Sequence, residues 1–182
     1  MVLPLVYSAF RAGESVATSE TDNAGVAAPV PALGVESVGQ LLPGWAQAGD
    51  NFTGYVTGTQ QSVPGYDSDA MFIRSANPNP QGFSTVMKAV PATAYLGKRV
   101  TLTGTIRTED VVDWVGMWLR IDGPGDVPLG FDNMQDRPIK GTQEARTYTI
   151  MMEVPANTQE VSYGVMLTGG GKVWFDELSF GS

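Results

Sequence analysis

The sequence predicts an all-β protein, an antiparallel β-sandwich preceded by an irregular N-terminal arm. Three observations carry this. Apolar and polar residues alternate with a period of two in one short segment after another. The abundant glycines and prolines, 22 and 12 of them, fall as turn signals between those segments. No stretch sustains a helical period, and no internal repeat is visible. The 182 residues suit one domain of ordinary size.

Residues 1–37 read as an arm or linker, because "SETDNAGVAAPVPALG" has no sustained period. The domain proper is expected over 38–182. "DAMFIRS" and "FSTVMKAV" supply two early strands. "KRVTLTGTIRT" follows, with Val100, Leu102 and Ile106 on one side and Thr101, Thr103, Thr105 and Arg107 on the other. "EDVVD" reads as a polar turn into "WVGMWLRID". "FDNMQDRPIKGT" reads as a loop. "RTYTIMMEVP" places Tyr148, Ile150, Met152 and Val154 together, and "EVSYGVMLTG" places Val161, Tyr163, Val165 and Leu167 together. "GKVWFDELSF" closes the chain as a last strand.

The composition excludes several chemistries. There is no histidine and no cysteine. A Ser-His-Asp triad, a Cys nucleophile and an imidazole base or metal ligand are therefore impossible. The formal net charge is -8. That argues against nucleic acid and anionic membrane, which need clustered Lys and Arg. The first residues carry no Lys or Arg ahead of their apolar run, a poor signal peptide, and no run approaches a membrane span. A cytoplasmic protein is the expectation, and the sequon at Asn51 then has no use. A homo-oligomer stays open.

The segment 114–122 poses the functional question. Its aliphatic side, Val115, Met117, Leu119 and Ile121, suits the core between sheets. Its other side carries Trp114, Gly116, Trp118, Arg120 and Asp122. Met166, with small Ser162 and Gly164 beside it, also falls on a face away from the core. Large aromatics beside small residues suit the floor of a ligand groove.

The strings "LPGW", "YLGKRVTLTGTIRT", "VGMWLRIDG", "FDNMQDRPIKGT", "YTIMMEVP" and "GKVWFDELSF", in this order, carry a resemblance. The region 38–182 resembles the galactose-binding-like jelly-roll modules, and more closely the β-sandwich found behind AraC-type DNA-binding domains. This chain lacks their helix-turn-helix. As a stand-alone domain it resembles the streptoseomycin- and nargenicin-type polyketide pericyclases. That resemblance implies a cofactor-independent cyclase that builds bridged rings by [6+4] or [4+2] cycloaddition.

The candidate residues each have a structural reading beside the functional one. Trp114 and Trp118 make an aromatic wall with Arg120 as donor, or pack under the N-terminal arm while Arg120 pairs with Asp122. Asn133 and Met134 sit at the groove rim, or belong to a loop tied by Asp132, Asp136 and Arg137 through Asx turns and ion pairs. Met151 and Met166 are pocket candidates, because Met suits an irregular apolar ligand. Met117 and Met152 read as core. Tyr55 is a donor on a loop over the groove, or a half-buried strand Tyr. Asp67, Asp69, Asp176 and Glu177 leave a structural Ca²⁺ open. Only Asp122 shares the groove face, so paired-carboxylate hydrolysis is unexpected.

Together these readings point to an apolar small-molecule substrate. Arg120, Tyr55 and Asn133 are the candidate catalytic donors. Trp114, Trp118, Met134, Met151 and Met166 are the candidate substrate contacts, with no cofactor. The alternative is a non-catalytic carbohydrate- or small-molecule-binding module.

Overall fold

A computed structural model describes residues 32–51 and 53–182, the side chain of Glu177 excepted. The arm expected over 1–37 lies almost wholly outside the described residues. The strands are β1 (Glu36–Val38), β2 (Ala46–Gly49), β3 (Tyr55–Gln60), β4 (Ala70–Ser75) and β5 (Phe83–Pro91). After them come β6 (Arg99–Asp122), β7 (Pro128–Asp132), β8 (Ile139–Glu153), β9 (Glu160–Thr168) and β10 (Lys172–Gly181). All pairings between them are antiparallel. β1 starts two residues inside the segment read as arm and pairs with β3, Ser37 opposite Thr59.

The fold turns on β6, a strand of 24 residues. Its first half pairs with β10, from Thr101 to Glu109, and so joins the row β1-β3-β4-β10. Its second half pairs with β9, from Trp114 to Asp122, and so joins β9-β5-β2. One strand thus serves two leaves, as corner strands do in sandwiches. The expected turn at "EDVVD" is corrected here. The chain bends without breaking: Asp110 takes a left-handed φ of 51°. The register against β8 also slips between Thr108 and Val115. Such slips, like bulges, bend a strand while keeping it in the sheet.

The leaves close over one apolar core. Val115, Leu119 and Ile121 from the second half of β6 are fully buried, with Val100 and Leu102 from the first half. Met117, also fully buried, reaches across: its sulfur lies 3.2 Å from where a Cβ on Gly104 would sit. Tyr163 of β9 stacks on Phe180 of β10 with ring centroids 5.0 Å apart, and Trp45 meets Tyr163 edge-on. Each such large side chain contributes roughly 1.5–3 kcal/mol of burial. Of the expected inward sets, Ile150, Val154, Val161, Tyr163, Val165 and Leu167 are buried, while Tyr148 and Met152, the latter expected as core, are half-buried against it.

A polar clamp holds the β1 edge. The Lys172 ammonium donates to Glu36 Oε1 at 2.5 Å and to Gln60 Oε1 at 2.6 Å, and lies over the rings of Phe72 and Trp174. Arg74 Nε donates to the other Glu36 oxygen at 3.1 Å. Burial pushes the Glu36 carboxyl up, but the Lys172 and Arg74 cations outweigh it and hold the carboxyl below its ordinary value.

Candidate functional site

The outer face of the second leaf forms a concave floor. Cross-strand register builds it in rows. Ala48 faces Thr85, Thr85 faces Met166, and Met166 faces Gly116. The next row is Ala46, Met87, Gly164 and Trp118. Beyond it Arg120 faces Ser162 on one side and Phe131 on the other. Ala48 and Gly116 at the ends of the first row and Gly164 within the second leave room, while Met87, Trp118, Met166 and Phe131 stand around it.

The result is a half-open pocket of about 520 Å³, lined chiefly by Phe83, Met87, Trp118, Phe131 and Met166, with Thr85, Arg120 and Asn133 as polar members. That volume suits a small organic ligand.

Trp118 is fixed in place. Its indole Nε1 donates to Thr85 Oγ1 at 2.8 Å, and the Thr85 hydroxyl donates onward to the Val165 carbonyl at 2.8 Å. The indole is 8% exposed. Its polar edge is spent on the protein, so what it offers the pocket is apolar ring. Phe131 stands tilted 6.5 Å away and is 56% exposed.

Arg120 is paired as well as exposed to the pocket. Its Nη2 lies 2.8 Å from Asp122 Oδ1, and its Nε donates to the same oxygen at 2.9 Å. Arg120 thus lines the pocket while its charge is paired with Asp122, the pairing expected from the sequence.

Asn133 is held by its loop. Its Oδ1 accepts the Gln135 N–H at 3.1 Å, which leaves the amide NH₂ as the donor it can offer the pocket. Asp132 Oδ1 accepts the Met134 N–H at 2.9 Å, and Asp132 Oδ2 accepts from Arg137 at 2.7 Å. Arg137 also donates to Asp136 at 2.7 Å. Its bond to the Asp132 carboxylate holds the Arg137 guanidinium above its ordinary value. Gly116 allows the loop to approach. A Cβ there would lie 2.2 Å from the Asn133 carbonyl oxygen and 2.7 Å from the Trp114 ring.

Four candidates do not line this pocket. Tyr55 takes the strand reading and not the loop one: it opens β3 and is 4% exposed, more deeply buried than expected. Its hydroxyl donates to the Gly82 carbonyl at 2.8 Å and accepts the Gly169 N–H at 3.0 Å. Burial pushes its phenol up. Met134 is the buried plug of its loop, 2% exposed, at a left-handed φ of 61°. Met151 projects from β8 into solvent at 58% exposure. Trp114 lies one row beyond the pocket, opposite Thr168, folded against Gly116. Trp118, Arg120, Asn133 and Met166 do meet.

Phe83, Thr85, Met87 and Phe131 also line the pocket, none of them a candidate from the sequence. The first three alternate in "FSTVMKAV", a signal present in the sequence. Phe131 opens the stretch read as loop, but it belongs to β7, whose last two residues, Phe131 and Asp132, overlap that stretch. Among the described residues, no three carboxylates gather as a cation site. Asp176 accepts instead from the Ser68 hydroxyl. No helix in the described residues is long and apolar enough to cross a membrane.

No protein-family model matches the chain. An HTH-type transcriptional regulator of Bacillus subtilis (strain 168), YbfP, described as uncharacterized, is 34% identical over 140 residues. Those residues are 76% of this chain and 48% of the regulator, so the chain spans about half of that relative's length. Among solved structures, a cyclase from Fischerella sp. in its apo form superposes with a TM-score of 0.55 at 12% identity, over 84% of this chain and 88% of that one. The C-terminal family 22 carbohydrate-binding module of Clostridium thermocellum Xyn10B superposes at 0.55 and 10% identity, over 76% and 85%. At these identities the likeness is one of fold, a β-sandwich.

Proposed function

We propose that the pocket takes a flexible, mostly apolar small molecule and folds it for reaction with itself, as a cyclase for intramolecular [6+4] or [4+2] cycloaddition of a polyene lactone. One observation carries this: Phe83, Met87, Trp118, Phe131 and Met166 surround a space whose single cation is already ion-paired. Such a site has shape and hydrogen-bond donors but no unpaired acid or base. A cycloaddition moves no proton, so it needs none. Holding the two reacting ends together reduces the entropic part of the barrier. Arg120 or the Asn133 amide donates to a conjugated carbonyl and makes that partner more electrophilic. Trp118, pinned by Thr85, is the wall against which the chain folds. The shared fold of the Fischerella cyclase supports the reading without identifying the reaction.

The test is to incubate the protein with a linear-polyene macrolactone and follow bridged product by chromatography. Product should form faster than in buffer, and Trp118→Ala should slow it at least tenfold. A wild-type rate from Trp118→Ala removes the pocket from the reaction.

A second reading is a non-catalytic effector-binding module, favoured by the 34% identity with a transcriptional regulator. It is distinguished by saturable binding of the polyene with no change in its rate of cyclisation.

A further inference from the structure

A second cavity adjoins the pocket. It measures about 710 Å³, is more open, and is lined by Asp132, Gln135, Asp136, Arg137 and Met152 together with Phe131 and Asn133. Phe131 and Asn133 also line the apolar pocket. The end of β7 and the first residue after it are therefore a partition with a space on either side.

The two sides differ in chemistry. The pocket side offers aromatic rings and thioethers. The far side has the Met152 thioether too, but adds carboxylates, a guanidinium and a primary amide. Its charges are already matched to one another: Arg137 lies 2.7 Å from both Asp132 and Asp136. An anion placed there would meet two carboxylates, and a cation would compete with Arg137 for them. Neutral hydroxyls meet neither penalty. They donate to the remaining carboxylate lone pairs and accept from the Gln135 amide, whose backbone N–H, not its side chain, holds the Asn133 turn.

We infer that the two cavities are one extended site for an amphiphile: an apolar body lies in the Trp118 pocket, and an uncharged, hydroxylated end crosses the Phe131 partition to lie against Gln135, Asp132 and Asp136. This rests on the small-molecule reading of the pocket and adds the ligand's polar end, its charge and its position. Phe131, more than half exposed, becomes the ridge over which the ligand bends.

Three probes with one apolar body test this by titration calorimetry: n-octane, octylammonium, and octyl glucoside below its micellar concentration. Octyl glucoside should bind at least tenfold tighter than either of the others. Gln135→Ala, which keeps the backbone bond of the loop, should erase most of that advantage and leave octane unchanged. Trp118→Ala should weaken all of them. Equal affinity for octane and the glucoside overturns the extended site while leaving the apolar pocket standing. Preference for octylammonium overturns the assignment of an uncharged end. Binding of none of the three overturns the pocket reading and the inference together.

Discussion

The Trp118 indole donates its only polar hydrogen to the Thr85 hydroxyl at 2.8 Å, across the intervening strand β9. This bond sets the ring's angle on the pocket floor. Thr85→Val keeps the side-chain shape but orphans the buried indole N–H. Leaving such groups unpaired costs roughly 1–3 kcal/mol. Urea unfolding should show a lowered midpoint with unchanged slope, and pocket ligands should bind more weakly. An unchanged midpoint would mean the hydrogen bond contributes nothing net.

Gly116→Ala places a methyl 2.2 Å from the Asn133 carbonyl oxygen, so the loop must move. Overpacking of this kind costs typically 1–3 kcal/mol. Far-ultraviolet circular dichroism should keep its β signature while thermal unfolding shifts down. The amide signals of 133–135 should move most in a two-dimensional NMR spectrum. Shifts spread evenly over the molecule would contradict the local clash.

Phe131 and Met151 are both exposed, at 56% and 58%, but only Phe131 lines the pocket. Phe131→Ala and Met151→Ala should each leave stability within about 0.5 kcal/mol, as surface changes usually do. Binding of Nile red, a neutral apolar dye, should fall several-fold for Phe131→Ala and stay unchanged for Met151→Ala. The reverse pattern would relocate the site to the β8 face.

The clamp on β1 makes stability depend on acid. Glu36 is held below its ordinary value of 4.5 by Lys172 and Arg74, against the upward push of burial. At low pH the unfolded chain therefore binds a proton before the folded one does. The stability this group contributes is fully present above the ordinary carboxylate value and is lost as pH falls through the lower folded value. Glu36→Gln should flatten that part of the stability curve. An acid limb as steep in the variant as in the wild type would assign it to other carboxylates.

What the sequence determined by itself was the side each residue takes on its strand. Alternation is a local property of extended backbone. It separated Val115, Met117, Leu119 and Ile121 from Trp118 and Arg120, placed Met166 away from the core, and predicted the all-β class. The Arg137 ties to Asp132 and Asp136 were also legible, because ion pairs within a loop span few residues. Tertiary pairing decided the rest. Tyr55 alternates correctly on β3, but only its meeting with Gly82 and Gly169 consumes its hydroxyl. Phe83, Thr85 and Met87 became pocket residues because β9 lies between β5 and β6. Phe131 joined them because β7 pairs against Arg120. Residues 114–122 and 99–109 alternate alike, yet a bend at Asp110 sends them into different leaves. Which strands become neighbours is a long-range choice made by burying the whole core at once, and no short stretch of chain contains it.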